Sequence, residues 1–269
     1  MPTLRVLQVS DLHAGTREEP AVEDGLRTLA AELEPELVIA TGDLAHRNGR
    51  AQHERAVTLL RSLGCPVLAV PGNHDMPMLP PARFLRTFAE FTRVWGETEP
   101  VFRSDRLVVC GLNSARPWLY QEGFVRFSQL ERVAEALRSA PDGALRIVAL
   151  HHHLVSAPWR TAKRHLLGRG KVLATLMDAG AELIVSGHVH QGAVVERREF
   201  EVVSGEVHGA IVAIAPGLGR PRPSRRGEAR GLHVYEADGR TLRVLTYSWL
   251  GARWALIADR RFPRGLAQL

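Results

Sequence analysis

Five short apolar runs in this chain each stop at a motif built from Asp, Asn or His, and that recurrence restricts the fold more than any other feature. Residues 4–10 lead into Asp11-Leu12-His13, and residues 37–41 into Gly42-Asp43. Residues 66–70 precede Gly72-Asn73-His74-Asp75, residues 146–150 precede His151-His152-His153, and residues 183–186 precede Gly187-His188-Val189-His190. Short, β-branched apolar runs of this kind read as buried strands. Between them, and around a further strand at 107–112, apolar residues recur at helical spacing over 22–33, 52–63, 82–91, 128–139 and 172–179. Strands alternating with helices indicate an α/β architecture. The last third, about 193–269, carries strand patterns at 194–197, 210–215, 232–236 and 241–248, and is expected to complete a second sheet packed on the first. No linker divides the chain, so residues 1–269 read as one domain.

In an open α/β sheet the carboxyl ends of the strands converge on one crevice, so motifs far apart in sequence can meet there. The side chains offered are imidazole, carboxylate and amide oxygen without thiolate, a donor set that suits transition metals. Alternation in Asp-x-His and His-x-His would put both members of a pair on one side of an extended segment. The glycines before Asp43, Asn73 and His188 permit tight turns and close backbone approach. A lone His or Asp at a strand end is ordinarily polar surface, and His46, His53, His152, His153, His165, His208 and His233 are read that way individually. Five such motifs in order are not coincidence.

The motifs resemble the signature of the calcineurin-like metallophosphoesterase family, namely D-x-H, G-D, G-N-H-[DE], H and G-H-x-H, over Asp11 to His190. The resemblance implies a four-layer α/β/β/α sandwich of two mixed sheets. It implies that Asp11, His13 and His190 bind one metal ion, that Asn73, His151 and His188 bind a second, and that Asp43 bridges them. His74 would contact the phosphate or assist the leaving group, and His152 is the alternative to His151. The implied reaction is attack on phosphorus by a hydroxide generated between two ions of manganese, iron or zinc. The chain departs from the family twice. His46 stands where many phosphatases of the family carry a second carboxylate that orients the residue equivalent to His74, and Asp75 need not point the same way. His153-Leu154 replaces the Pro-Pro common after His-His in the cyclic-nucleotide phosphodiesterase branch.

Length and motif set look most like that bacterial branch, so a small phosphodiester such as a cyclic nucleotide is the expected substrate. A monoester, or DNA given a net charge of +6 and a pI near 10.1, is the alternative. A non-catalytic interaction module would lack the ligands. Residues 115–127, with Trp118, Tyr120, Phe124 and Phe127, read as a core-packing loop; as an apolar insertion they would suit a lipid-linked substrate. The Pro- and Arg-rich stretch 220–226 reads as a mobile surface loop remote from the motifs. No apolar run is long enough to span a bilayer. Nor is there a basic segment followed by an apolar one at the N-terminus, so a cytoplasmic location is expected. Cys65 and Cys110 form no C-x-x-C pair and read as small buried hydrophobes.

Overall fold

The first strand is covered on both faces, and that requires a layer on each side of it. Leu4 and Val6 point one way into a cluster shared with a second sheet, while Leu7 and Val9 point the other way toward helices. The computed structural model describes residues 3–16, 19–159, 161–200, 207–222 and 224–264. Pro223 of the 220–226 stretch and the side chain of His208 lie outside the described residues. In chain order the elements are β1 (Leu4–Val9), α1 (Pro20–Leu33), β2 (Leu37–Ala40), α2 (Arg50–Arg61), β3 (Val67–Ala69), α3 (Ala82–Leu85), α4 (Ala89–Trp95), β4 (Val101–Arg103), β5 (Leu107–Leu112), α5 (Phe127–Arg138), β6 (Leu145–Leu150), α6 (Arg169–Asp178), β7 (Leu183–Ser186), β8 (Ala193–Phe200), β9 (Val207–Ile214), β10 (Gly231–Ala237), β11 (Thr241–Trp249) and β12 (Trp254–Pro263).

Two six-stranded mixed sheets result, ordered β12-β11-β10-β1-β2-β3 and β4-β5-β6-β7-β9-β8. Strands β1, β2 and β3 are parallel, as are β5, β6, β7 and β9. Val6, Ile39, Ile147, Val185 and Tyr235 belong to the cluster between the sheets. Leu26 and Leu60 pack α1 and α2 on the outside of the first sheet, and Leu137 and Leu176 pack α5 and α6 on the outside of the second. The order of layers is therefore α/β/β/α. Each fully buried aliphatic side chain contributes roughly 1.5–3 kcal/mol, so these three clusters supply the main driving force.

Two expectations are corrected, and two edge strands are added. The C-terminal third does not complete the second sheet alone: β8 and β9 extend it, whereas β10 to β12 add to the first sheet beside β1. The helix expected over 82–91 is broken into α3 and α4. At the break Thr87 Oγ1, rather than a helical N–H, donates to the Arg83 carbonyl at 2.8 Å. Strands β4 and β12 escape the apolar pattern because each lies at a sheet edge, where β12 carries Asp259, Arg260 and Arg261.

A buried polar link holds the sheets together near the catalytic end. Gln8 on β1 donates to Thr41 Oγ1 and to the Ser186 carbonyl at the end of β7, and accepts from the Tyr235 hydroxyl. Beside it His233 on β10 lies 3.0 Å from the Ile214 carbonyl and 3.1 Å from Thr246 Oγ1. Burial pushes the His233 imidazole down to about 4 from 6.5. The unfolded chain then takes up this proton first, so the contribution is complete above pH ~6.5 and is lost as pH falls toward 4. Its slope is at most about 1.4 kcal/mol per pH unit. Denaturant unfolding of wild type and His233→Asn between pH 7 and pH 4 is expected to show a shallower fall for the variant. Equal slopes would mean that His233 does not titrate on unfolding.

Candidate metal centre

Every sequence-derived ligand candidate ends up in one cluster, at the carboxyl ends of β1, β2, β3, β6 and β7, with His13 and Asn73 half-buried and the others buried. The loops are tied to one another by backbone bonds: Asp11 N–H to the Gly42 carbonyl, His13 N–H to the Asp43 carbonyl, and Gly187 N–H to the His151 carbonyl. The two sheets close on the site through His151, whose Nδ1 donates to the Thr41 carbonyl at 2.7 Å. That bond fixes the tautomer and leaves Nε2 free to act as a donor atom for a metal.

The side chains fall into two groups around Asp43. On one side, His190 Nε2 lies 3.2 Å from Asp11 Oδ1 and 3.3 Å from His13 Nε2, and His13 Nε2 lies 3.9 Å from Asp43 Oδ2. On the other, His151 Nε2 lies 3.4 Å from Asp43 Oδ1, 3.3 Å from Asn73 Oδ1 and 3.1 Å from His188 Nδ1. One carboxylate oxygen of Asp43 thus faces each group. Asp11 Oδ1 and Asp43 Oδ2 are buried and accept no hydrogen bond. Buried carboxylate oxygens are costly without a partner, and a cation is the partner this geometry fits.

Electrostatics agree. Burial works against the charge on Asp11, yet His190 and then His151 outweigh it and hold the carboxyl well below the usual range. Burial likewise opposes the charge on Asp43, and His151 followed by His74 overcomes it. Burial alone would depress His151, but Asp43 reverses this and lifts it to about 9. These carboxylates are built to be ionised and to meet positive charge. His13, by contrast, is pushed down to about 3 by burial, which keeps its imidazole neutral and able to coordinate.

The Asp-x-His and His-x-His pairs are not pleated strand, contrary to the sequence reading. Asp11, His13, Asp43, His188 and His190 all have positive φ, between 49° and 73°. Five non-glycine residues in the left-handed region at one site mark a strained backbone held by its surroundings. Ser10 is part of that hold: its hydroxyl donates to Asp11 Oδ2 at 2.7 Å, and His188 N–H donates to the same oxygen at 2.9 Å, leaving Oδ1 for the site. The loops also need close approach. A Cβ on Gly187 would lie 1.8 Å from Ser10 Oγ, and one on Gly72 would lie 2.2 Å from Asp43 Oδ1.

His74 is half-buried beside this centre, its ring 4.9 Å from that of His13. Its Nδ1 lies 2.9 Å from the backbone carbonyl of His46, which can only accept, so Nδ1 donates to it and the ring is oriented by that bond. The orienting role of the family's missing carboxylate is thus taken by the main chain at His46. Asp75 does point elsewhere. It is fully buried and accepts from the N–H groups of Leu44, Ala45 and Gly72, fastening the loop after β2 to the loop after β3. Burial, then the charge on Asp43, raises it to about 7 against the pull of those bonds. His152 is also buried, with Nδ1 2.8 Å from Ser114 Oγ and its Nε2 unpartnered.

Sequence reading missed Ser10, Ser114 and the anchoring by Asp75. Asn113-Ser114 follows an apolar strand just as the five motifs do, and that position was the available signal. The 220–226 stretch is also closer than its sequence distance implied. Arg222 pairs with Glu228 through two nitrogens, the Arg226 guanidinium lies 4.1 Å over the Trp159 ring, and Gln191, adjacent to His190, donates to the Arg226 carbonyl. Cys110 is buried as expected and Cys65 is half-buried.

The family model for calcineurin-like phosphoesterases matches residues 4–192. The chain belongs to this family. It is 27% identical over 213 residues to a probable cyclic nucleotide phosphodiesterase of a Synechococcus species, spanning 70% of this chain and 74% of that one. It is 25% identical over 222 residues to a 3′,5′-cyclic adenosine monophosphate phosphodiesterase of Haemophilus influenzae, spanning 76% of each. In structure it resembles a purple acid phosphatase from yellow lupin, with TM-score 0.71 and 14% identity over 97% of this chain and 54% of that chain. It also resembles a dimetal phosphatase from Danio rerio, with TM-score 0.62 and 14% identity over 98% and 99% of the two chains. These structural likenesses concern the fold. This chain is a phosphoesterase of that family. Among the described residues, no helix is long and apolar enough to cross a membrane.

Asp75→Ala removes three hydrogen bonds that set the spacing of the Asp43 and Asn73 loops. Metal content and turnover are expected to fall together, activity by about tenfold or more. Metal analysis with kinetics checks this, and a variant with normal values of both would show that the loops hold their spacing unaided.

Proposed function

We propose that this chain hydrolyses small phosphodiesters, with cyclic nucleotides the favoured class, using two metal ions. The observation that carries the reading is the placement of Asp43, with one oxygen toward each group of imidazoles. Asp11, His13, His190 and Asp43 would hold one ion. Asp43, Asn73, His151 and His188 would hold the other, with His152, whose ring lies within reach of His151 and His188, as the alternative to His151. Nitrogen and oxygen donors without thiolate fit manganese, iron or zinc. Such a pair of ions supplies hydroxide near neutral pH and neutralises charge on the phosphate oxygens.

The protein's own part is positional. Ser10 and the His188 N–H hold Asp11 Oδ2 so that Oδ1 faces inward, and the Thr41 carbonyl turns His151 Nε2 inward. Asp43 sets the distance between the two groups and also accepts from the His74 N–H at 2.8 Å. His74, oriented by the Nδ1 bond to the His46 carbonyl, presents Nε2 to the substrate, where the imidazolium form, with a proton on each ring nitrogen, would bind the phosphate and pass its Nε2 proton to the leaving oxygen. The choice of a diester follows the two relatives named as cyclic nucleotide phosphodiesterases, and the small phosphorylated substrate is the partner proposed.

With added manganese, turnover is expected for a cyclic nucleotide and an aryl diester, and less for an aryl monoester or single-stranded DNA. His74→Ala should keep its metal while losing roughly 10²–10⁴ in turnover, the loss being larger for an alkoxide leaving group than for nitrophenolate. Metal loss in His74→Ala would make His74 a ligand. Equal losses with both leaving groups would remove the proton-donating role and leave phosphate binding alone. A preference for the monoester or for DNA would overturn the substrate class.

A further inference from the structure

In the loop 115–127 Ala115 and Val125 pack inward, but the aromatic side chains do not. Trp118, Tyr120, Phe124 and Phe127 are all exposed, Phe127 by 66%. A second loop stands beside it, after β3, with Leu79 68% and Leu85 78% exposed. Isolated exposed apolar residues are ordinary, but this many large ones on two joined loops form a patch that needs a partner. The loops are joined by design of the chain: Arg83, itself buried, donates to the carbonyls of Pro77, Pro117 and Leu119 and lies 4.4 Å under the Tyr120 ring. A buried guanidinium with three carbonyl acceptors holds both loop tips in one arrangement, so their exposure is built in.

The patch lies at the catalytic end. Both loops leave the carboxyl ends of their strands, and Phe124 N–H donates to the Ser114 carbonyl, the residue whose hydroxyl touches His152. Gly123 packs directly against the His152 ring, where an added Cβ would come within 2.5 Å. Two arginines flank the patch. Arg86 follows Leu85, Arg126 precedes Phe127, and both are exposed without an ion pair among the described residues, while Arg164 faces Glu122 at 3.9 Å.

We infer that these two loops dock the protein onto a lipid surface bearing anionic headgroups, with the metal centre held beside the headgroup layer. The occupant follows from the shape and charge of the patch. Its large apolar side chains are exposed on two loops that Arg83 braces together, so they are available for insertion between lipid chains. Trp and Tyr supply apolar bodies with polar ends suited to the interfacial zone. The flanking arginines match anionic headgroups, which attract each such charge near the surface.

The test is co-sedimentation of the full chain with phosphatidylcholine vesicles containing roughly one third phosphatidylglycerol, and with phosphatidylcholine alone. Wild type is expected to partition onto the anionic vesicles, more weakly onto neutral ones, and less at high salt. The exposed substitutions Leu85→Ser and Phe127→Ser should each weaken partitioning about tenfold. Their melting temperatures and their turnover of a soluble aryl diester should match wild type, which separates docking from folding and from the metal site. A blue shift of indole emission on vesicle addition, absent in Trp118→Ser, places the loop in the lipid. Wild type that ignores both vesicle types, or variants that bind as wild type does, overturns the inference. So does self-association that Leu85→Ser abolishes in a protein that does not bind vesicles, since the patch would then serve a second copy.

Discussion

Two carboxylates, Asp11 and Asp43, are fully buried at the junction of two sheets with no lysine or arginine paired to either among the described residues. Removing such charges from water costs several kcal/mol each unless positive charge is brought to them. In this fold Asp43 draws His151 toward its charged form while burial keeps His13 and His188 neutral, and the unmet carboxylate oxygens point to cations as the full solution. Much of the surrounding structure serves this constraint. The left-handed ligands, the glycines that let Asp43 approach Gly72 and Ser10 approach Gly187, and the Asp75 clamp are all means of crowding donors around buried negative charge. The strain they store is offset by the apolar clusters on either side of each sheet.

How much of this can be read from the residues alone depends on how local the cause is. The strands β1, β2, β5 and β7 are legible because runs buried on both faces are apolar at nearly every position. The ligand set is legible because each motif sits where a strand of that kind must end. The backbone conformation of the ligands is not legible: Asp11 and His190 are not residues whose sequence announces positive φ, and tertiary bonds impose it. Edge strand β12 is likewise hidden, since its partner β11 and not its own pattern makes it a strand. The helix over 82–91 has the right spacing, but Thr87 Oγ1 takes the Arg83 carbonyl at the break, a local competition that apolar spacing does not reveal.

The 220–226 stretch and the 115–127 loop show opposite errors of the same type. Composition marks the first as a free loop, yet Arg222 and Arg226 are tied down beside Gln191 by groups distant in sequence. Aromatic content marks the second as core, yet β5, α5 and α6 fill that space themselves with Cys110, Leu130 and Leu173, and the aromatics are left outside. Composition says what a segment prefers; which preference is met depends on what the rest of the chain has already placed there. The outcome puts a polar, tightly constrained metal centre next to an apolar rim braced by Arg83.

The most direct measurement is the metal content of purified wild type and Asp43→Ala after manganese loading and desalting. Wild type is expected to retain about two equivalents per chain, as a shared carboxylate between two ions requires. Asp43→Ala should hold fewer than one and lose turnover with it, while His74→Ala measured alongside stays near wild type. Two tightly held ions in Asp43→Ala, or none in active wild type, would contradict a centre organised around Asp43.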